Sequence, residues 1–225
     1  MLHPLGTCFA VGPNKFATAA HVTGPSDEGL CAIVGRADSL SDYQDTTNTQ
    51  AQGTTVRIVN YDPVHDVCIL EPVAPALMEF GYSIGGSDDT PTGQPVVSLG
   101  YPHADHGRLV LTLQASMVGA RVLLGMGATT AKHLVLNTQA RPGQSGGPVF
   151  TGDGRKVCAM VVGGYSPGGN QGSGISLGGI DPQTLHQRVL GSSPSASTKN
   201  SSKYSNLRLR PGRSAAPSIS PISRS

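Results

Sequence analysis

The sequence "RPGQSGGPVF" at residues 141–150 places Ser145 in a glycine-rich turn directly before a short apolar segment. Glycine-containing turns occur by composition alone in a chain with 30 Gly and 17 Pro, but Gly-x-Ser-Gly-Gly-Pro is too specific for that explanation. Glycine on both sides of a serine lets successive backbone N–H groups point into one pocket beside a hydroxyl, as the oxyanion of acyl transfer requires. Ser145 is therefore a candidate nucleophile, and the N–H groups of Gly143 and Ser145 form a candidate oxyanion hole.

A serine nucleophile needs a base and a group that orients the base, and the sequence offers both upstream. The segment "FATAAHV" places His21 after a strand-like run, and "YDPVHDVCILEP" places Asp66 directly before an apolar one. Either residue alone is typical of a structural hydrogen bond or a turn. The order His, Asp, Ser with wide separations is one that a catalytic triad uses. We expect the neighbouring His65 to point to solvent rather than to replace His21.

With these motifs the chain resembles the chymotrypsin-like (trypsin-fold) serine peptidases. The resemblance rests on "TAAHV" around His21, "HDVCILEP" around Asp66, "GQSGGPVF" around Ser145 and "MVVGGYS" at residues 160–166. It covers about residues 5–190. It implies two six-stranded antiparallel β-barrels with the active site in the cleft between them, His21 and Asp66 on the first barrel and Ser145 on the second.

The resemblance also implies how a serine endopeptidase would bind an extended peptide or protein substrate. Val162, Gly163 and Gly164 correspond to the strand that pairs with substrate, Gln139 to the base of the primary specificity pocket and Ala140 to its wall. Without a carboxylate there, a preference for Lys or Arg is disfavoured, and a small, aliphatic or neutral polar side chain is expected.

Two positions depart from the secreted digestive members of this family. They carry an acidic residue before the nucleophile, which pairs with an N-terminus made by cleavage, where this chain has Gln144. Many of them also form a disulfide with a cysteine directly after the base, where this chain has Val22. We therefore do not expect activation by that cleavage.

The spacing of apolar segments predicts an all-β fold. Runs of strand length such as "GTCFAVG", "TTVRIVN", "PVVSLGY" and "KVCAMVVGG" alternate with Gly, Pro and Asp clusters, a pattern that favours a barrel or sandwich. We place a peptidase domain at residues 1–191, with the first barrel at about 5–80, the second at about 94–180, and a C-terminal helix at 182–190.

The last part of the chain has a different composition. Residues 192–225 contain 12 Ser and six Lys or Arg but no Asp or Glu, which predicts a disordered tail. It is interpreted as a solvated linker, with an acidic partner left open. A nucleic-acid partner is not expected, because its charges are spread and no aromatic residues alternate with them.

The positions of the four cysteines indicate in which cellular compartment the protein works. Cys8, Cys31, Cys68 and Cys158 each lie in an apolar segment, where thiols pack as small hydrophobes. Together with the lack of a signal peptide this favours an intracellular setting, in the cytoplasm or that of a host cell. No apolar run approaches the 18 residues of a membrane span.

The sequence leaves two functional questions open. The motifs fit both an intracellular bacterial peptidase and a viral polyprotein protease. A non-catalytic protease-fold module that binds peptides or scaffolds an assembly is the alternative from another class. No cofactor or metal is expected, since His103, Asp105 and His106 have no further ligands nearby in the sequence.

Overall fold

The computed structural model describes residues 3–33, 40–47, 51–74, 80–104, 108–126, 129–165, 175–178 and 219–224. Within these ranges the regular secondary structure is β-strand apart from one short helix, as predicted. The elements are β1 (His3–Gly12), β2 (Lys15–Thr18), α1 (Ala20–Thr23), β3 (Leu30–Ile33), β4 (Gly53–Asp62), β5 (Val67–Pro72), β6 (Ser83–Ile84), β7 (Pro95–Gly100), β8 (Thr112–Met126), β9 (Thr129–Leu136), β10 (Pro148–Thr151), β11 (Lys156–Tyr165), β12 (Ile175–Gly178) and β13 (Ile219–Arg224).

The first barrel is closed, with the strand order β1-β13-β3-β4-β5-β2. All of its strand pairs are antiparallel. Apolar side chains fill it because its strands present β-branched and aromatic residues to the interior. Its fully buried members include Phe9, Leu30, Ile69 and Ile222.

The second barrel is a curled sheet with the order β10-β7-β8-β9-β12-β11-β6, and β10 also pairs with β11. That additional pairing brings the sheet round on itself, while the short β6 runs parallel to β11. One core cluster contains side chains of both barrels, including Phe9 and Ile69 from the first and Tyr101 and Met160 from the second. The barrels are therefore held together by shared apolar packing. The observed architecture confirms the predicted two-barrel, all-β fold class.

The sixth strand of the first barrel comes from the end of the chain, and this differs from the sequence-based expectation. β13 pairs with β1 from His3 opposite Arg224 to Phe9 opposite Ile219, and with β3 on its other side. The prediction of disorder over 192–225 does not hold for residues 219–224. Composition averaged over a serine-rich stretch concealed the local "ISPI" segment, in which Ile219 and Ile222 are both buried. The predicted helix at 182–190 and residues 192–218 lie outside the described residues.

The packing of β13 leads to a stability prediction. Ile222 is 0% exposed, so Ile222→Ala should lower the free energy of unfolding by about 2–5 kcal/mol through lost burial and a residual cavity. Urea denaturation of the full chain measures the change, and Ser220→Ala on the half-buried face of the same strand is the control. Equal midpoints for Ile222→Ala and the wild type would show that β13 does not occupy the barrel.

Candidate active site

His21 and Asp66 are joined by two hydrogen bonds. The Nδ1 of His21 lies 2.7 Å from Oδ2 of Asp66, and the backbone N–H of His21 donates to Oδ1 at 2.8 Å. One carboxylate oxygen thus holds the ring and the other holds the start of α1, the short helix that carries His21. Because a carboxylate accepts, Nδ1 carries the proton, and in the neutral ring Nε2 is left with a free lone pair.

The turn before β5 gives Asp66 an unusual conformation. Its φ is 55°, the only positive value for a non-glycine residue among those described, and aspartate tolerates this region better than most residues. Asp62 holds the turn, since its Oδ1 accepts from the N–H groups of Val64 at 3.0 Å and His65 at 3.1 Å. The His65 ring lies 2.8 Å from Oδ2 of Asp62. The expectation that His65 points to solvent is therefore wrong: Asp62 draws its ring back onto the turn.

The hydrogen bond to Asp66 raises the pKa of His21 above its ordinary value of 6.5, against a smaller opposing effect of burial. The protonated imidazolium is the form that Asp66 stabilises. The bond between protonated His21 and Asp66 therefore contributes to the free energy of unfolding below pH 6.5. This contribution is lost as the pH rises through the higher pKa that His21 has in the folded chain.

Residues 141–147 form a tight turn, named the nucleophile turn after the predicted role of Ser145, and its conformation explains the glycine at position 143. The N–H of Gln144 donates to the Arg141 carbonyl at 3.1 Å, and Gly143, with φ of 87°, has the conformation that a type II turn requires after Pro142. Gln144 is buried, and its side-chain Oε1 accepts from the Arg141 N–H at 2.7 Å. Gln144, which stands where the secreted relatives carry the acidic residue, thus stabilises the turn in which it lies.

Ser145 and α1, the helix that carries His21, meet at Gly6 and Thr7 of β1. The N–H of Thr7 donates to the Ser145 carbonyl at 2.8 Å. A Cβ at the preceding Gly6 would lie 2.7 Å from that carbonyl oxygen and 2.9 Å from both methyl groups of Val22. Only glycine fits there, because any Cβ would collide with both the Ser145 backbone and the side chain of the residue after His21. The structure therefore brings together the elements that carry all three predicted triad residues.

The segment predicted to bind substrate lies at the end of β11. Gly163 and Gly164 pair with Leu177 and Ser176 of β12 on one side. On the other side the pairing with β10 ends at Met160, and the Gly147 carbonyl accepts from the Val161 N–H at 2.8 Å. Past Val161, no strand in the described part of the chain covers this edge. An open strand edge starts beside the nucleophile turn and includes Val162.

Gln139 and Ala140 directly precede the nucleophile turn. Gln139 is exposed and its carbonyl accepts from Nε2 of Gln114 at 3.0 Å, while Ala140 packs against the second core cluster. Residues 166–174 lie outside the described residues, so the side-chain preference of the pocket stays a prediction.

Sequence reasoning missed three residues that hold this site. Asp62 had a signal in the Asp-Pro pair of "YDPVHD", which is typical of a turn. Gly6 and Thr7 had none, because their roles come from contacts between the barrels.

Three of the four cysteines, Cys8, Cys68 and Cys158, are buried thiols that do not offer an alternative nucleophile. All four are free. Burial raises the pKa of Cys8, and it raises that of Cys68 and Cys158 to about 11. These thiols are protonated at neutral pH, whereas attack requires the thiolate.

The described residues contain no group of three side chains that could hold a metal ion. His103 is one of the described residues, while Asp105 and His106 are not. No helix within the described ranges is long and apolar enough to cross a membrane.

The comparisons with known proteins agree with this geometry. The trypsin-like peptidase domain matches residues 6–163. The chain belongs to the trypsin-like peptidase family. No curated protein sequence is significantly similar to it.

Solved structures of proteases share the fold. The HtrA-type protease AlgW with a decapeptide superposes with a TM-score of 0.59 at 21% identity, over 83% of this chain and 52% of that one. This chain thus spans about half the length of that relative. The active form of the Rv3671c protease from M. tuberculosis gives 0.60 at 20% identity, over 85% of this chain and 76% of that one. The MamO protease domain from Magnetospirillum magneticum superposes with a TM-score of 0.55 at 14% identity, over 82% of this chain and 95% of that one.

The bond between His21 and Asp66 can be tested by titration. Asp66→Asn should lower the pKa of His21, because the variant removes the negative charge that stabilises the imidazolium and replaces one of the two acceptor oxygens with an amide NH2 group. NMR titration of the His21 ring measures the shift. Glu71→Gln, which removes a carboxylate paired with Arg57 on the same barrel, is the control and should leave the His21 titration unchanged. An unchanged His21 pKa in Asp66→Asn would contradict the observed pairing.

Proposed function

We propose that the chain is a serine endopeptidase that hydrolyses peptide bonds through the triad His21, Asp66 and Ser145 and an acyl-enzyme intermediate. The observation that supports it best is the 2.7 Å contact between His21 Nδ1 and Asp66 Oδ2, together with the docking of the Ser145 turn against α1 at Gly6. Trypsin-like peptidases use the same three residue types in this order.

The chemistry follows from the protonation state of His21. With Nδ1–H held by Asp66, Nε2 accepts the proton of the Ser145 hydroxyl as Oγ attacks the substrate carbonyl. The imidazolium then protonates the leaving amine, and Ser145 keeps the acyl group. Water, activated by His21 in the same way, attacks the ester, and the proton returns to Ser145 as the acid leaves. Asp66 stabilises the imidazolium in both steps.

The backbone N–H groups of Gly143 and Ser145 are proposed to bind the oxyanion. The left-handed φ of Gly143 is compatible with an N–H directed into the site. Donors of this kind contribute roughly 3 kcal/mol each to transition-state stabilisation, because they are already oriented when the charge develops.

The open edge of β11 supports an extended substrate. Val162 to Gly164 can pair with a peptide backbone as an added antiparallel strand, so the substrate must be locally unfolded or a loop. The related fold of AlgW has been observed with a decapeptide. The proposed preference is for a small, aliphatic or neutral polar side chain beside Gln139 and Ala140. The free thiols support a reducing, intracellular setting.

The nucleophile is tested by substitution. Ser145→Ala should reduce kcat on a peptide substrate by a factor on the order of 10⁶ if the triad acts as a unit, without changing the melting temperature by more than a few degrees. Ser83→Ala, at an exposed serine on β6, is the control. Reaction with a peptidyl phosphonate, followed by mass spectrometry, should modify Ser145 alone. A chain that folds but neither cleaves a peptide library nor reacts with the phosphonate would favour the non-catalytic binding module.

A further inference from the structure

The side chain of Thr7 lies at the centre of the contact between the first barrel and the nucleophile turn. Thr7 is 0% exposed. Its Oγ1 donates to the Gly143 carbonyl at 2.7 Å and accepts from the N–H of Tyr101 at 3.1 Å. A threonine hydroxyl has one proton to donate, so the two bonds have fixed directions.

The backbone of the same residue makes two more hydrogen bonds. The Thr7 N–H donates to the Ser145 carbonyl at 2.8 Å, and its own carbonyl accepts from the Thr18 hydroxyl at 2.8 Å. Thr18 is the last residue of β2, and α1 with His21 follows after one residue. Thr7 therefore connects both ends of the segment 143–145 to the strand that leads into the histidine helix.

The environment of Gly143 shows that this anchor is tight. A Cβ at Gly143 would lie 2.4 Å from the Tyr101 carbonyl oxygen. Tyr101 thus contacts Gly143 directly through its C=O and indirectly through its N–H and the Thr7 hydroxyl. Because the Gly143 carbonyl is held, the Gly143 Cα and the backbone nitrogen bonded to it keep a fixed distance to the Ser145 N–H. Ser145 is itself held by the Thr7 backbone.

We propose that Thr7 is a positioning residue for the oxyanion hole: its hydroxyl anchors Gly143 to the first barrel and so sets the spacing of the Gly143 and Ser145 donors relative to His21. The inference rests on the proposed function. The backbone bond from Thr7 to Ser145 does not depend on the side chain, so loss of the hydroxyl frees the Gly143 carbonyl and the Tyr101 N–H but leaves Ser145 held. The effect should therefore appear in transition-state stabilisation rather than in peptide binding along β11.

Two pairs of chains isolate the hydroxyl. Thr7→Val is close in shape to the wild type and lacks only the hydrogen-bonding group. Thr7→Ala and Thr7→Ser differ from each other by a single oxygen and both lack the methyl group, so they provide the comparison if Thr7→Val does not fold. Thr90→Val is the control, because Thr90 is also fully buried and donates to the Gly86 carbonyl, outside the proposed machinery.

The experiment measures kcat and KM on one short peptide, and the inhibition constant of a peptide boronate whose tetrahedral adduct places an oxygen in the oxyanion hole. Active chains are counted by phosphonate titration, and the assays run well below each melting temperature. Thr7→Val should lower kcat about 10- to 100-fold with KM within about threefold, and weaken the boronate by a similar factor. The kcat of Thr7→Ser should remain within about threefold of the wild-type value, and the kcat of Thr7→Ala should be lowered as much as that of Thr7→Val.

Three results for the Thr7 variants would overturn the inference while leaving the proposed function intact. They are wild-type kcat in both Thr7→Val and Thr7→Ala, an equal loss in Thr7→Ser and Thr7→Ala, or a loss confined to KM. An equal loss of kcat in Thr90→Val would also overturn it, because buried hydroxyls would then act through stability alone. A wild-type chain without activity or phosphonate labelling would instead overturn the proposed function, and the inference with it.

Discussion

The contact of Gly6 and Thr7 with the nucleophile turn is the constraint on which the site depends. Gly6 leaves room for the Ser145 carbonyl and the Val22 side chain, both of which a Cβ at this position would meet, and Thr7 bonds to Ser145 directly. Since the proposed triad residues come from two barrels, apolar packing between the barrels alone would allow small relative shifts. Directional hydrogen bonds at a buried residue remove that freedom.

The remaining parts of the site converge on the same place. The Asp62 carboxylate fixes the turn that presents Asp66, and Asp66 fixes both the ring and the backbone of His21. β13 reaches the site from the far end of the chain: an Arg224 guanidinium nitrogen donates to the Thr23 carbonyl at the end of α1 at 2.7 Å. The Tyr101 hydroxyl donates to the Ile219 carbonyl at 3.1 Å. Closing the first barrel and placing the histidine helix are therefore parts of one arrangement.

The sequence predicted what local patterns encode and missed what distant contacts create. Alternating apolar segments located the strands, and motif order is the basis for proposing His21, Asp66 and Ser145 as the triad. The Thr7 side chain bonds to a residue 136 positions away, and nothing in "GTCFAVG" indicates that partner. β13 was missed for a different reason, because its two isoleucines are diluted by a serine-rich background. His65 was misjudged because its partner Asp62 was not considered.

The most direct test is a crystal structure of the chain with a peptidyl phosphonate bound. The account predicts a covalent bond to Ser145 Oγ, with the phosphonyl oxygen 2.7–3.1 Å from the N–H groups of Gly143 and Ser145. It also predicts the Thr7 hydroxyl still bonded to the Gly143 carbonyl, and the peptide paired along β11. An adduct on another residue, or one on Ser145 whose oxygen faces solvent away from both N–H groups, would contradict it.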